Sequence, residues 1–355
     1  MNRFIVGTGR CGSTLLSRMI AENPQVCSLF EFFGGLDVGR RFDTEPVDGK
    51  EVADLISSEQ PVVTAFLKRG YVPQEIIYPF GPKARYKREN PLPWILVGVL
   101  PRLTDDPDAL FDEVMAFASS LPSQRLARHY MDLFDWLTKR MDREVWIERS
   151  GCSIELLGPL NEFFPNARFL HIHRDGPEAA LSMREHPAFR LAIPLLYQVP
   201  AETGASVNLD EIDLSAPPVP TDPIAQAVNL AQIDFSAPPE PTDAISRILA
   251  SRPPVEYFGR YWTDQLIHGF CGLKRLNADQ YLEVSLEDLV ATPAKVLRIV
   301  SDFFELDPER DGWIERAAAL VHGSPPTRFE QLREDERERL SQSCWVGRQL
   351  LERAG

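Results

Sequence analysis

Short apolar runs and segments of helical periodicity alternate along this chain. Residues 4–6 form a run of β-forming apolar residues that ends in a glycine-rich turn, a pattern typical of a buried strand. Leu15, Leu16, Met19 and Ile20 then follow at the spacing of one helical face. The same alternation predicts strands at 26–30, 145–147 and 168–173, and helices over 153–164 and 177–185. Repeated strand–helix–strand units predict an α/β fold in which helices flank a central parallel sheet.

Two long regions lie outside this alternation. Residues 45–140 predict helices at 107–120 and 122–141, with an apolar run at 62–66 that fits a strand. Residues 190–255 are rich in proline and acidic residues, and the segment 208–222 recurs at 229–243. Two copies are too few for a solenoid. We predict one domain over 1–355 with a helical insertion at 45–140, the acceptor region, and a proline-rich insertion at 190–255, which is either a lid or a flexible segment.

Charge and cysteine content restrict the class of protein. The net charge of −14 argues against non-specific binding of nucleic acids or anionic membranes. Five cysteines without C-x-x-C pairs are typical of reduced thiols and argue against a zinc site. Met1 leads almost directly into the first strand, and no apolar run approaches the ~20 residues of a membrane helix. We therefore expect a cytoplasmic protein without a transmembrane segment or a nucleic-acid partner.

The turn after the first strand, Gly7-Thr-Gly-Arg-Cys-Gly-Ser-Thr14, predicts a phosphate-binding loop. A strand, a glycine loop and a helix in this order direct backbone N–H groups and a helix N-terminus at an anion. Arg10 adds a positive charge within the loop, and Ser13 or Thr14 is a candidate cap for the helix.

Three known phosphate loops match these letters. Gly7, Gly9 and Gly12 reproduce the dinucleotide fingerprint, and Glu31 follows at the distance of the ribose-binding acid, which predicts an NAD(P)-dependent Rossmann oxidoreductase. The second is a Walker A loop in which Ser13 replaces the essential lysine. The third pattern, G-x-x-[RK]-x-G-[ST]-[ST]-L-L, resembles the 5′-phosphosulfate loop of the sulfotransferase family. The loop by itself leaves all three open.

A second strand–turn–helix unit decides among them. The strand at 168–173 leads into Arg174 and Asp175, and Ser182 lies eight residues beyond the arginine. An arginine fork and a hydroxyl donor together suit a phosphomonoester. The run 169–183 resembles the 3′-phosphate motif of sulfotransferases, except that a glycine here precedes the proline of the turn. The two motifs together, in this order, favour a bacterial-type sulfotransferase over an NAD(P)-dependent oxidoreductase or a protein with a Walker A loop.

Two further stretches add to the resemblance. Residues 146–168 and 281–306 resemble later segments of bacterial sulfotransferases, although the family usually has lysine where Arg149 stands. The resemblance covers 3–36, 144–186 and 280–306, under a third of the chain. We expect acceptor specificity to lie in the unmatched regions.

The resemblance implies a P-loop-like core and a named donor. The cosubstrate would be 3′-phosphoadenosine 5′-phosphosulfate (PAPS) and the product adenosine 3′,5′-bisphosphate (PAP). No metal is expected, because Arg10 and the helix N-terminus supply the positive charge. The residues implied in donor binding are Arg10, Cys11, Gly12, Ser13, Thr14, Leu15, Arg149, Arg174 and Ser182.

The resemblance also suggests the catalytic groups. Glu31 is the preferred base for the acceptor hydroxyl, since carbohydrate-active bacterial members and tyrosylprotein sulfotransferases place a glutamate soon after the second strand. His173 is the second choice, because cytosolic members use a histidine, and Arg10 completes the catalytic set. The expected acceptor is a hydroxyl of a sugar, a glycolipid or a small molecule, and the family resemblance allows a homodimer.

Overall fold

The computed structural model describes residues 1–82, 84–198, 239–240, 242–323 and 325–354. The first repeat predicted at 208–222 and most of the second at 229–243 lie outside the described residues. The flanks of the proline-rich insertion, where described, are helical.

A five-stranded parallel sheet forms the centre of the molecule. In chain order the strands are β1 (Arg3–Val6), β2 (Val26–Phe30), β3 (Pro46–Val47), β4 (Gln124–Arg125), β5 (Val145–Arg149), β6 (Arg168–His173) and β7 (Tyr281–Ser285). The sheet order is β2-β5-β1-β6-β7, and all of its pairings are parallel. This confirms the predicted α/β class. Because the strands are parallel, the segments that follow β1, β2, β5 and β6 leave the sheet at the same edge.

Helices pack on both faces of this sheet. In chain order they are α1 (Ser13–Ala21), α2 (Gly49–Ser57), α3 (Pro61–Lys68), α4 (Pro107–Ser120), α5 (Leu126–Arg140), α6 (Leu157–Phe163), α7 (Gly176–Glu185), α8 (Pro187–Gln198), α9 (Ala244–Ala250), α10 (Val255–Leu273), α11 (Leu286–Ala291), α12 (Pro293–Phe304), α13 (Trp313–Ala318) and α14 (Glu334–Ala354). Among the described helices, none combines the length and the apolar character needed to cross a membrane.

The region 45–140 holds α2 to α5 and a short antiparallel pairing of β3 with β4. The strand predicted at 62–66 is wrong, because these residues belong to α3. Pro61 occupies the first turn of that helix, and Val63, Phe66 and Leu67 are buried at helical spacing. A short apolar run fits a buried helix as well as a strand, and proline at the first helical position favours the helix.

The hydrophobic core lies on both faces of the sheet, because successive side chains of β1 point to opposite faces. Phe4 packs on one face, where its ring stacks on Phe169 with centroids 5.5 Å apart and meets Trp146 edge-on. Ile5 faces the opposite side and packs with the apolar face of α1. Every residue of β1 is buried. The central strand is therefore held from both faces, and the loop that follows it has a fixed starting point.

Candidate active site

The loop between β1 and α1 adopts a left-handed backbone at three positions. Gly9, Arg10 and Gly12 have φ of 76°, 54° and 92°. Helix α1 begins at Ser13, with Gly12 at its N-cap and no side-chain hydrogen bond to the first turn. The prediction that Ser13 or Thr14 caps this helix is therefore wrong. An uncapped first turn keeps backbone N–H groups available for an anion.

Gly9 is required by space as well as by its φ angle. A Cβ at this position would lie 2.8 Å from Sγ of Cys152 and 2.9 Å from Cζ of Phe189. The loop is thus enclosed by the segment after β5 and by α8.

Arg10 joins the two predicted phosphate motifs. Its Nε donates a hydrogen bond to Oγ of Ser182 over 3.3 Å, and its Nη1 lies 3.9 Å from Oε1 of Glu75. Ser182 is on α7, 172 residues further along the chain. The structure therefore brings the glycine loop and the second motif to one place.

Arg174 lies at the start of the same unit as Ser182. It is 6% exposed, and burial lowers the pKa of its guanidinium. Its Nη2 is 3.7 Å from Oε2 of Glu178, which lies in the first turn of α7. His173, the preceding residue, instead pairs with Glu283 on β7, with Nε2 and Oε1 3.2 Å apart. Unlike Arg10 and Glu31, His173 is not among the described residues that line the cavity of the site.

Glu31 follows β2 directly and has a φ of 57°. Its Oε1 forms an ion pair with Nη1 of Arg149, and its Oε2 accepts the backbone N–H of Gly151 at 2.7 Å. Trp94 Nε1 donates to the Glu31 carbonyl over 2.6 Å. Glu31 is 7% exposed and Arg149 is 1% exposed. The carboxylate is thus held in one orientation by the charge of Arg149 and the backbone N–H of Gly151, while the indole of Trp94 fixes the main chain of the same residue.

A second carboxyl group, Glu148, is buried beside this ion pair. Its Oε1 accepts a hydrogen bond from Ser150 Oγ at 2.6 Å and one from the backbone N–H of Phe32 at 3.2 Å. Burial is the main cause that raises the pKa of Glu148 to about 8, and the negative charge of Glu31 adds to it. Near neutral pH the carboxyl group of Glu148 therefore holds its proton.

Three further ionisable side chains at the site carry no sequence motif. Burial raises the pKa of Glu75, but the hydrogen bond from His186 Nε2 at 3.2 Å and the charge of Arg10 outweigh it and lower this pKa to about 2. Arg102 lies over the ring of Phe30 with its Cζ 4.5 Å from the centroid. Burial and the neighbouring Arg149 lower the pKa of Arg102.

Glu75, Arg102 and His186 line one cavity of about 990 Å³ together with the residues of the two phosphate motifs, whereas Glu148 lies outside its lining. The predicted donor-binding residues Arg10, Gly12, Ser13, Thr14, Leu15, Arg149, Arg174 and Ser182 all contribute to its wall, as does Glu31. Cys11 is fully buried beneath the loop, and burial raises the pKa of its thiol. Among the described residues, no cluster of three His, Cys, Asp or Glu side chains is placed to hold a metal ion. The volume is at the upper end for a small-molecule site.

Neither the models of known protein families nor the curated proteins include a match to this chain. Several solved structures are similar to it. The sulfotransferase domain from the curacin biosynthetic pathway is 13% identical, with 96% of this chain and 89% of that chain covered and a TM-score of 0.44. The sulfotransferase domain from the olefin synthase of Synechococcus PCC 7002 is 16% identical, with coverage of 96% and 86% and a TM-score of 0.42.

A third similar structure is a sulfotransferase from Mycobacterium avium, at 15% identity, coverage of 96% and 74%, and a TM-score of 0.39. All three bear the name of the family that the sequence motifs resemble. Because the identities and TM-scores are low, we base the function on the residues of the site and not on these likenesses.

Proposed function

We propose that this protein is a sulfotransferase that moves the sulfonate group of PAPS to the hydroxyl group of an acceptor. The observation that carries the proposal is the hydrogen bond between Arg10 and Ser182, with Arg174 in the same cavity. Two motifs that are far apart in sequence meet here, and each suits one phosphate-bearing end of the same nucleotide.

The donor would be held at both ends. We assign the 5′-phosphosulfate to Arg10 and the uncapped first turn of α1, where a cation and backbone N–H groups converge. We assign the 3′-phosphate to Arg174 and Ser182. Arg149 is a candidate for the sulfonate. Its Nη1 pairs with Glu31, while its Nε and Nη2 are buried and have no hydrogen-bond partner among the described residues. Such pre-positioned cations stabilise the charge that develops on the leaving oxygen.

Glu31 would act as the base. Each of its carboxylate oxygens makes one hydrogen bond or ion pair and retains a further lone pair. In the reaction, the acceptor hydroxyl gives its proton to Glu31 while its oxygen bonds to sulfur. The bond between sulfur and the 5′-phosphate oxygen breaks, and PAP leaves with that electron pair.

The sheet order argues against the NAD(P)-dependent oxidoreductase. In the Rossmann arrangement the first two strands are neighbours, so the acid after the second strand reaches the ribose at the glycine loop. Here β5 lies between β1 and β2, and Glu31 is engaged by Arg149 and Gly151. That function also gives no role to the contact between Arg10 and Ser182.

Thermal shift with PAP, NAD, NADP and ATP tests the donor. We expect PAP to raise the melting temperature with concentration, because it binds the folded state alone. The shift should disappear in Arg174→Ala and persist in Arg275→Ala, which removes an arginine from an exposed ion pair with Glu162. Stabilisation by NAD instead of PAP would overturn the proposal.

Glu31→Gln tests the base separately. Removing a positioned general base costs about 10²–10⁴-fold in kcat, so sulfonate transfer from PAPS should fall by that factor while the PAP shift remains. Unchanged turnover would exclude Glu31 as the base.

A further inference from the structure

Apolar side chains form one part of this cavity's lining, between Glu31 and the glycine loop. We call it the apolar wall, and it consists of Leu36, Val38, Val62, Phe66, Trp94 and Phe189. The residues come from the segment after β2, from α3, from the segment before α4 and from α8. Leu36 and Phe66 are fixed in the core, whereas Val38 is 41% exposed. The surface is therefore supported from behind and open towards the cavity.

The apolar wall reaches the position where sulfonate transfer would take place. At one end, the indole of Trp94 is bonded to the carbonyl of Glu31, the proposed base. At the other end, the ring of Phe189 closes on the glycine loop at Gly9, beside Arg10. A hydroxyl group placed between Glu31 and this loop would leave the rest of its molecule in contact with apolar side chains.

Cationic side chains of the cavity lie near the two ends of the apolar wall. Arg149 and Arg102 both stack on Phe30 beside Glu31, with Cζ atoms 4.9 Å and 4.5 Å from its ring centroid, and Arg10 and Arg174 belong to the phosphate motifs. Beside the apolar wall the ionisable side chains include Asp37 and Glu59, both exposed. An anionic acceptor would meet these carboxylates, and a charged group against the wall would lose hydration without a partner.

We infer that the acceptor is an uncharged alcohol or phenol with an apolar body, and not an acidic sugar. This inference rests on the proposed function, because sulfonate transfer defines the acceptor. The hydroxyl oxygen of the acceptor bonds to sulfur, its proton passes to Glu31, and the products are a sulfate ester and PAP. The apolar body contributes affinity by leaving water for the wall.

Sulfonate transfer from PAPS to four probes tests the inference: 2-naphthol, 1-octanol, lactose and an oligosaccharide that contains glucuronic acid. We expect turnover of 2-naphthol and 1-octanol, and at least about tenfold lower kcat/KM for both sugars, since the wall offers no hydrogen-bond partners for sugar hydroxyls. Binding of each probe to the PAP-loaded protein is measured in parallel by quenching of tryptophan fluorescence.

Two valine-to-aspartate variants, one on the apolar wall and one outside the cavity, form a matched pair. Val62→Asp places a carboxylate in the first turn of α3, where it is electrostatically favourable, at a half-buried position beside Phe66. An unchanged PAP shift shows that this variant is folded. The variant should raise KM for 2-naphthol by about tenfold or more, because it introduces a charge beside the bound ring. Val72→Asp changes a 42% exposed valine that does not line the cavity, and it should leave this KM unchanged.

The outcomes separate the inference from the proposed function. A PAP shift with preferred turnover of either sugar, or with no binding of either apolar probe, would overturn the acceptor class alone. The absence of a PAP shift would overturn the proposed function and the inference with it. Equal effects of Val62→Asp and Val72→Asp on KM would also contradict a role for the apolar wall.

Discussion

The buried carboxyl group of Glu148 makes the stability of the fold depend on pH. Glu148 is 1% exposed on a central strand, and its neighbour Arg149 already pairs with Glu31. A second carboxylate in the same environment would lack a counter-charge, so the proton stays on Glu148 well above the usual pH. Burial is what sets its pKa of about 8.

This pKa makes stability fall as the pH rises. Below the ordinary carboxyl value of 4.5, the folded and unfolded chains both hold the proton. Between that pH and about 8 only the unfolded chain releases it, so this group lowers the free energy of unfolding by up to about 1.4 kcal/mol per pH unit. Glu148→Gln lacks this slope, and its stability relative to the wild type should increase from pH 5 to pH 8.

Denaturant unfolding of both proteins at each pH measures this difference. Glu113→Gln is the control, since Glu113 is exposed and its bond to Arg140 lowers its pKa, which places its titration below this window. A difference between Glu148→Gln and the wild type that stays constant from pH 5 to pH 8 would contradict a protonated Glu148.

At the scale of elements, α7 does more than carry Ser182. The Oε1 of Glu178 on this helix accepts the backbone N–H groups of Arg328 and Phe329, at 2.7 Å and 2.9 Å. The segment just before these residues, including 320–323 and 325–326, lines the cavity. Glu178 therefore ties one wall of the cavity to the helix that holds the proposed 3′-phosphate site.

Glu178→Ala should weaken both stability and PAP binding. Two half-buried backbone donors lose their acceptor, which costs about 1–3 kcal/mol for the two bonds together, and the wall of the cavity loses its attachment. Isothermal titration with PAP and denaturant unfolding measure the two effects. Glu185→Ala on the same helix removes only a long, exposed contact with Arg190 and should change neither. Full PAP affinity in Glu178→Ala would show that this attachment is not needed.

Elements whose ends carry strong local signals have the bounds that the sequence predicts. β2, β6 and α4 have the predicted bounds, because proline, glycine and acidic caps mark their ends. The strand predicted at 62–66 is wrong because a run of five residues, four of them apolar, is too short to show whether its period is that of a helix or a strand. The proline before it was the available signal.

Some residues of the candidate site could be predicted from the sequence, and others could not. Arg10, Arg174 and Ser182 were predictable, since each belongs to a spacing pattern with a physical role. Arg102 and Glu75 were not, because they lie between helices without a motif and reach the cavity only through tertiary packing. A charged pair, Glu148 and Arg149, at the end of a buried strand was the one sequence signal for the buried carboxyl group.

At the scale of the whole molecule, the last described helix, α14, packs against the indole of Trp262, which also packs against the start of α7. Trp262 of α10 is fully buried, and a Cβ at Gly176 or at Gly347 would lie 2.7 Å or 2.4 Å from its Cζ3. Gly176 begins α7, and Gly347 is in α14. The ring is therefore held between the start of α7 and a helix far along the chain.

Gly347→Ala should consequently act at a distance. The added methyl group pushes the ring towards Gly176, with a cost of about 1–3 kcal/mol in stability, and displaces the start of α7 that follows Arg174. PAP affinity measured by titration should fall with the melting temperature. Gly158→Ala, in a helix with open space around the new Cβ, should be neutral or stabilising. A destabilised Gly347→Ala with unchanged PAP affinity would show that α14 and the site are independent.

The central position of β1 also governs the order in which the molecule can be built during synthesis. Arg3–Val6 is synthesised well before its two neighbours in the sheet, which begin at residues 145 and 168. At ordinary rates of translation this interval lasts on the order of ten seconds. Throughout it the apolar strand has no partner, and such long-range pairing is slow to form. The strand that carries the glycine loop therefore waits for both of its partners, and the loop takes its final shape only after β6 has been synthesised.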